Sequence, residues 1–219
     1  MQAGIITALE IQKRNKERVN VYLDGEYAFS LPLMEAARLK KGQTLSTSEV
    51  GELRTEDEIS RAVDRAVRLL ARRPRSVSEV RKNLTRKETP EPVIDSAIAR
   101  LTQLGYLDDE AFARYWMENR DQFKPRGPRA LRYELRQKGV ARDIIEQVVS
   151  DVDPADAAYR AAQDRARRMR GSTRFDFENR VGGFLQRRGF SYGTARDAIN
   201  RIADELAESD PEFFREVEE

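Results

Sequence analysis

Between Val19 and Leu31 apolar residues alternate with polar ones: Val19, Val21 and Leu23, then Asp24-Gly25, then Tyr27, Phe29 and Leu31. A period of two belongs to a strand with one buried face, and Asp-Gly between two such runs suits a two-residue hairpin turn. Ile5 to Ile11 offers a third strand, so a small antiparallel sheet is predicted over residues 5 to 31. The period changes at Leu33. The stretch "LMEAARLKKG" has helical spacing and closes on Gly42, Ser46 or Ser48 is placed to cap a short helix, and a longer helix is predicted from near Glu56.

Beyond the sheet the apolar pattern repeats. Val80, Leu84, Ile94, Ala97, Ile98 and Leu101 recur 51 residues later as Leu131, Leu135, Ile145, Val148, Val149 and Val152, then 50 residues later as Val181, Leu185, Ala195, Ala198, Ile199 and Ile202. Each copy carries an i, i+4 pair on one helix and an i, i+3, i+4, i+7 stripe on the next. The joint between these helices recurs as "QKGV" (137 to 140) and "RRGF" (187 to 190), whereas the first copy has "RKET" (86 to 89) and lacks the glycine. Room for a preceding helix exists at about 58 to 73, 109 to 122 and 155 to 170, giving three tandem three-helix units. Helix starts agree: Ser76 followed by Glu79 forms a capping box, Pro128 sits at a first helical position, and Pro90 and Pro92 open the third helix of the first copy.

The stretch "LGYLDDEAFARYW" (104 to 116) pairs two aspartates, which elsewhere hold Mg²⁺ or share acid and base duties. Its neighbours favour a helix start. Gly105 is placed to end one helix in a left-handed residue, and Asp108 to cap the next. Leu107 and Phe112 stand at the two positions of a hydrophobic staple, with Asp109 and Glu110 in the positive first turn.

With 39% apolar and 36% charged residues, the core is thin against an ionised surface, which suits an elongated helical protein better than a globular enzyme. No cysteine or histidine is present, which removes disulfides, thiolate or imidazole metal sites and Ser-His or Cys-His nucleophiles. No glycine loop suited to cradling a phosphate is present either, so neither a cofactor nor catalysis is expected. A carboxylate nuclease would need other acids to converge on Asp108 and Asp109, and nothing in the spacing assembles them. No run of about 18 apolar residues occurs, so a soluble, cytoplasmic protein is expected.

The formal net charge of +2 conceals segregation. Residues 65 to 87 hold nine basic and one acidic residue, 113 to 142 nine and three, and 160 to 190 again nine and three; the intervening stretches are acidic. Within each copy the first two helices are therefore basic and the third acidic, which predicts a basic flank. Arg129, Arg132 and Arg136 fall at i, i+3, i+7, away from Leu131 and Leu135; Arg81 is the first-copy equivalent of Arg132. Arg174, Arg187 and Arg188 take the comparable part in the third copy, where Gly182 replaces the arginine. Lys82 and Lys138 complete the candidate set. Tyr115, Trp116 and Tyr133 lie among these bases and are of the kind that stacks on nucleotides, though Trp116 reads first as core.

The motifs "RSVSEVRKNL" (75 to 84), "VIDSAIARLTQLGYLDDEAFARYW" (93 to 116) and "RGPRALRYELRQKGV" (126 to 140) resemble those of the RecX family, regulators of the RecA recombinase. The resemblance spans about residues 60 to 205. It implies tandem three-helix repeats in a curved, elongated array, and a non-enzymatic modulator. Such a modulator binds in the groove of the RecA–DNA filament and curbs its ATPase and strand exchange in recombination and repair.

The organisation expected is thus mainly α. Residues 1–55 form the hairpin sheet plus short helices, 56–107, 108–154 and 155–207 the three repeats, and 208–219 an acidic tail. Expected partners are the recombinase filament and single-stranded or also double-stranded DNA, engaged by a monomer without a membrane. The alternative is a stand-alone DNA-binding protein built from helix-turn-helix-like units. Sequence-specific readout is disfavoured, because no repeat offers a helix rich in Asn, Gln and Arg suited to base edges.

Overall fold

The computed structural model describes residues 3–215. Strands β1 (Gly4–Ile11), β2 (Arg18–Leu23), β3 (Glu26–Pro32) and β4 (Thr44–Leu45) form one antiparallel sheet in the order β3-β2-β1-β4. The hairpin turn is where the alternation places it: Asp24 and Gly25 both have positive φ, at 50° and 93°, as a two-residue turn matched to the strand twist requires. Ile6, Val19, Val21, Phe29, Leu31 and Leu45 are buried together with Ala36 and Val50.

Two predicted helices differ. The helix closing on Gly42 is a single turn, α1 (Leu33–Ala36), and the chain then pairs Leu45 with Gly4. Ser46 is indeed a cap, accepting from Glu49 N while Glu49 Oε2 accepts from Ser46 N at 2.7 Å, but it opens one continuous helix, α2 (Thr47–Leu70). That helix runs through the expected boundary at 55/56. Val50 at one end packs on the sheet and Ala62 and Ala66 at the other enter the first repeat, so burial at both ends holds the middle helical.

A buried ion cluster ties sheet to helix. Arg18 on β2 pairs with Asp57 on α2, donates to Ser30 Oγ on β3 at 3.0 Å, and shares Asp57 with Arg61, which lies 3.0 Å away. Burial, then the nearby Arg61 charge, lowers the Arg18 pKa from its usual value.

The first repeat comprises the end of α2, α3 (Val77–Thr85) and α4 (Glu91–Gln103). The second is α5 (Asp109–Phe123), α6 (Pro128–Gln137) and α7 (Arg142–Ser150); the third is α8 (Pro154–Ala166), α9 (Arg174–Arg187) and α10 (Tyr192–Ser209). Of the eighteen repeated apolar positions, all but Ile98 and Val152, which are half-buried, lie in the core. The chain divides after Leu107 into two compact units, the second holding repeats two and three.

The three second helices end alike. Val140 N donates to Leu135 O and Phe190 N to Leu185 O, both at 3.2 Å, closing a left-handed turn at Gly139 (φ 76°) and Gly189 (φ 88°). In the first repeat Thr89 N donates to Leu84 O at 3.3 Å, and the left-handed place is held by Glu88 at φ 57°. The joint without glycine therefore keeps the same geometry.

Within the second unit, the entry to α6 is wedged against the third repeat's joint. Gly127 N donates to Arg188 O at 3.0 Å and Arg129 N to Gly189 O at 3.3 Å. A Cβ on Gly189 would stand 2.4 Å from Ala130 N, and one on Gly127 would stand 2.3 Å from the Gly189 carbonyl, so glycine is required at both.

The expected separate acidic tail is corrected through Arg215. Helix α10 runs to Ser209, Arg170 grips Asp210 at 2.7 and 3.3 Å, and Phe213 is buried with its ring perpendicular to Phe177. Two aromatic side chains, Phe213 and Phe214, give this acidic segment enough apolar surface to dock. Residues 216–219 lie outside the described residues.

Candidate functional site

Each second helix turns its apolar pair inward and carries cations among the residues of its outer faces. Val80 and Leu84, Leu131 and Leu135, and Val181 and Leu185 are all buried. The structure sorts the nine candidate cations into three groups.

Arg81, Arg132 and Arg174 bridge to the acidic third helix of their own repeat. Arg81 pairs with Glu91 and Asp95, Arg132 Nε lies 2.8 Å from Glu146 Oε2, and Arg174 lies 2.8 Å from Asp204 and 3.0 Å from Glu178. Hydrogen bonds donated to Asp95 and Asp204 raise the Arg81 and Arg174 pKa values above the usual one. Much of the basic and acidic segregation is thus interlocking of neighbouring helices. Exposed pairs of this kind stabilise weakly, about 0–1 kcal/mol each, and set register more than stability.

Lys138 and Arg188 lean on rings. Lys138 Nζ is 4.7 Å from the Trp116 ring centroid. Arg188 covers Phe184 at 4.6 Å and donates to Pro125 O at 3.1 Å; burial, then Arg126, lowers its pKa. The Arg188 side chain is therefore one of the contacts between the two repeats of this unit.

Lys82, Arg129, Arg136 and Arg187 are exposed and make no ion pair among the described residues. Arg129 and Arg136 stand two turns apart on α6, and Tyr133, also on α6, is 62% exposed. Arg142, at the first position of α7, is exposed as well and was missed as a candidate, because the candidate cations were drawn from the second helices and the joints that follow them. The arrangement suits phosphate contacts, which need mobile exposed cations rather than cations already committed to carboxylates.

Trp116 is half-buried against the second-repeat core, with Nε1 donating to Glu134 Oε2 at 2.9 Å and the Arg120 guanidinium 4.2 Å from the ring centroid. Its indole belongs to packing, and Tyr115 beside it is 39% exposed.

The paired aspartates are a helix start. Asp108 Oδ1 accepts from Glu110 N at 2.8 Å and Ala111 N at 3.0 Å, Asp109 opens α5, and Gly105 is left-handed at φ 73°. Leu107 is buried in the first-repeat core and Phe112 in the second. Asp108→Ala should lower stability by about 0.5–2 kcal/mol, read as a shift in the denaturation midpoint. A variant of unchanged stability would leave the cap without energetic weight.

The chain matches known proteins along most of its length. Residues 4–46 match the family described as "Regulatory protein RecX N-terminal domain". Residues 62–101, 108–149 and 151–199 match the first, second and third three-helix domains of RecX. The "Regulatory protein RecX" of Bacillus pumilus is 34% identical over 204 residues, covering 91% of this chain and 78% of that one; its Bacillus subtilis counterpart is 33% identical over 202 residues, covering 90% and 76%. A crystal structure described as "regulatory protein RecX" superposes with a TM-score of 0.74 at 29% identity, covering 92% of this chain and 99% of that one. With a sheet, three helical repeats and relatives of this similarity all in agreement, the chain belongs to the RecX family of regulatory proteins.

Proposed function

We propose that this protein regulates the RecA recombinase by binding the RecA–DNA filament and curbing its ATP hydrolysis and strand exchange, acting as a cytoplasmic monomer without catalysis of its own. Family membership supports the regulatory role. The observation that carries the mode of binding is the pair of exposed arginines on α6, Arg129 and Arg136, which make no ion pair among the described residues, with Lys82 and Arg187 at the corresponding second helices. Such cations can neutralise filament phosphates without first breaking an internal ion pair.

The test is the rate of DNA-dependent ATP hydrolysis by RecA as this protein is titrated in. Turnover should fall as the protein saturates the filament, and the protein alone should hydrolyse neither ATP nor DNA. Unchanged turnover at saturation, with bare DNA retaining the protein as well as the filament does, would replace this reading with a stand-alone DNA-binding protein.

A further inference from the structure

The repeats permit a comparison position by position. The second repeat's Arg129, Arg132, Tyr133, Arg136 and Glu146 correspond to Asn179, Gly182, Gly183, Gln186 and Arg196 in the third. In the first two repeats the crevice between second and third helices is bridged by an ion pair, Arg81 with Asp95 and Arg132 with Glu146. In the third both partners have changed: Gly182 has no side chain, and Arg196 puts a cation where the acid stood.

The result is a groove of about 420 Å³ between α9 and α10. Asn179, Gln186 and Asn200 contribute amides, Tyr192 is 69% exposed, and Arg196 is exposed without an ion pair among the described residues. Glu178, which also lines the groove, is engaged by Arg174 at 3.0 Å. A Cβ on Gly182 would meet only Ile199 Cδ1, at 3.5 Å, so the absent side chain leaves open space rather than relieving a clash.

We infer that this groove takes one unstacked nucleobase of a single-stranded nucleic acid. A base has apolar faces and an edge of alternating donors and acceptors. An exposed tyrosine ring supplies a stacking surface, three carboxamides supply both donors and acceptors, and a lone unpaired arginine supplies a contact for the adjoining phosphate. A peptide carrying acidic side chains would call for several free cations, and the groove offers one. The surface differs in kind from α6, whose free cations would meet phosphates of any sequence or none. The inference requires contact with nucleic acid and not with the recombinase.

The experiment measures affinity by fluorescence anisotropy, at physiological salt, for two labelled single-stranded oligonucleotides of equal length and phosphate number, one of thymidines and one abasic. The intact protein should prefer the base-bearing strand by about tenfold, the scale of one stacked base. Tyr192→Ala should erase that preference. So should Gly182→Arg combined with Arg196→Glu, which installs the second repeat's ion pair, and thermal melting should show the fold retained. Arg129→Glu with Arg136→Glu should instead weaken both strands alike and keep their ratio, which separates failure of the α6 reading from failure of this one. The inference is overturned by equal affinity of the intact protein for the two strands, by binding to neither, or by a preference that survives in both groove variants. Loss of filament retention in the groove variants without any base preference in the intact protein would likewise overturn it, in favour of a protein occupant.

Discussion

Asp57→Ala should cost about 3 kcal/mol or more of stability, because it leaves a buried guanidinium without its carboxylate. Asp57 and Arg18 are both buried, with side chains only 8% and 10% exposed, and Asp57 is also the carboxylate that Arg61 reaches at 3.0 Å. Without it, two guanidinium groups face each other across a site that already disfavours the charged form of Arg18. Asp64, the remaining acid, is 3.9 Å from Arg18 and half exposed, so it compensates poorly. The loss should concentrate on the seam between β2, β3 and the middle of α2, so amide exchange should rise there before it rises in α9 or α10. Asp57→Asn keeps an acceptor for Arg18 and should cost less. The measurement is denaturant unfolding of the three proteins; an alanine variant as stable as the parent would mean that solvent reaches Arg18 freely.

Reversing Arg129 and Arg136 together to glutamate should weaken retention on RecA–DNA filaments by at least about tenfold and flatten the salt dependence, by about 0.9 in the logarithmic slope for each phosphate no longer neutralised. Both residues are exposed and pair with nothing among the described residues, so the fold, followed by circular dichroism, should survive. Arg132 is left in place deliberately: it holds Glu146 at 2.8 Å, and reversing it would oppose two carboxylates and confound binding with stability. Equal affinity and equal slope for parent and variant would show α6 to be a solvated face only. A large drop in affinity with an unchanged slope would point to an interface with recombinase protein rather than with phosphate.

The repeats were legible because their signal is periodic apolar burial, which the second and third helices obey at sixteen of eighteen positions. The hairpin was legible because Asp-Gly has few other uses between alternating runs. Helix α2 was not, since Gly51 and Thr55 are weak helix formers, and tertiary contacts override them: Val50 on the sheet, Asp57 with Arg18, and Ala62 in the first repeat. β4 is two residues long, too short for any period to show. In the candidate site, composition revealed where the cations lie along the chain but not which of them are spent. Arg132 and Arg136 look alike in sequence, and only the approach of α7 commits one to Glu146 and leaves the other free. The acidic last segment misled for the opposite reason: its charge outnumbers its two phenylalanines, yet those two rings decide where it lies.

Glu88 bears on the disordered chain as much as on the folded one. A left-handed residue with a side chain costs roughly 1–2 kcal/mol in the native state. The same side chain narrows the conformations open to that joint when the protein unfolds, and this narrowing is worth about 0.4–1 kcal/mol in the opposite direction. The first joint thus trades native strain for a smaller loss of configurational freedom on folding, whereas Gly139 and Gly189 accept the larger entropy loss and avoid the strain. Three joints of one shape are therefore reached by two thermodynamic routes. At the first the partial cancellation is large enough for a charged residue to persist where geometry alone asks for glycine.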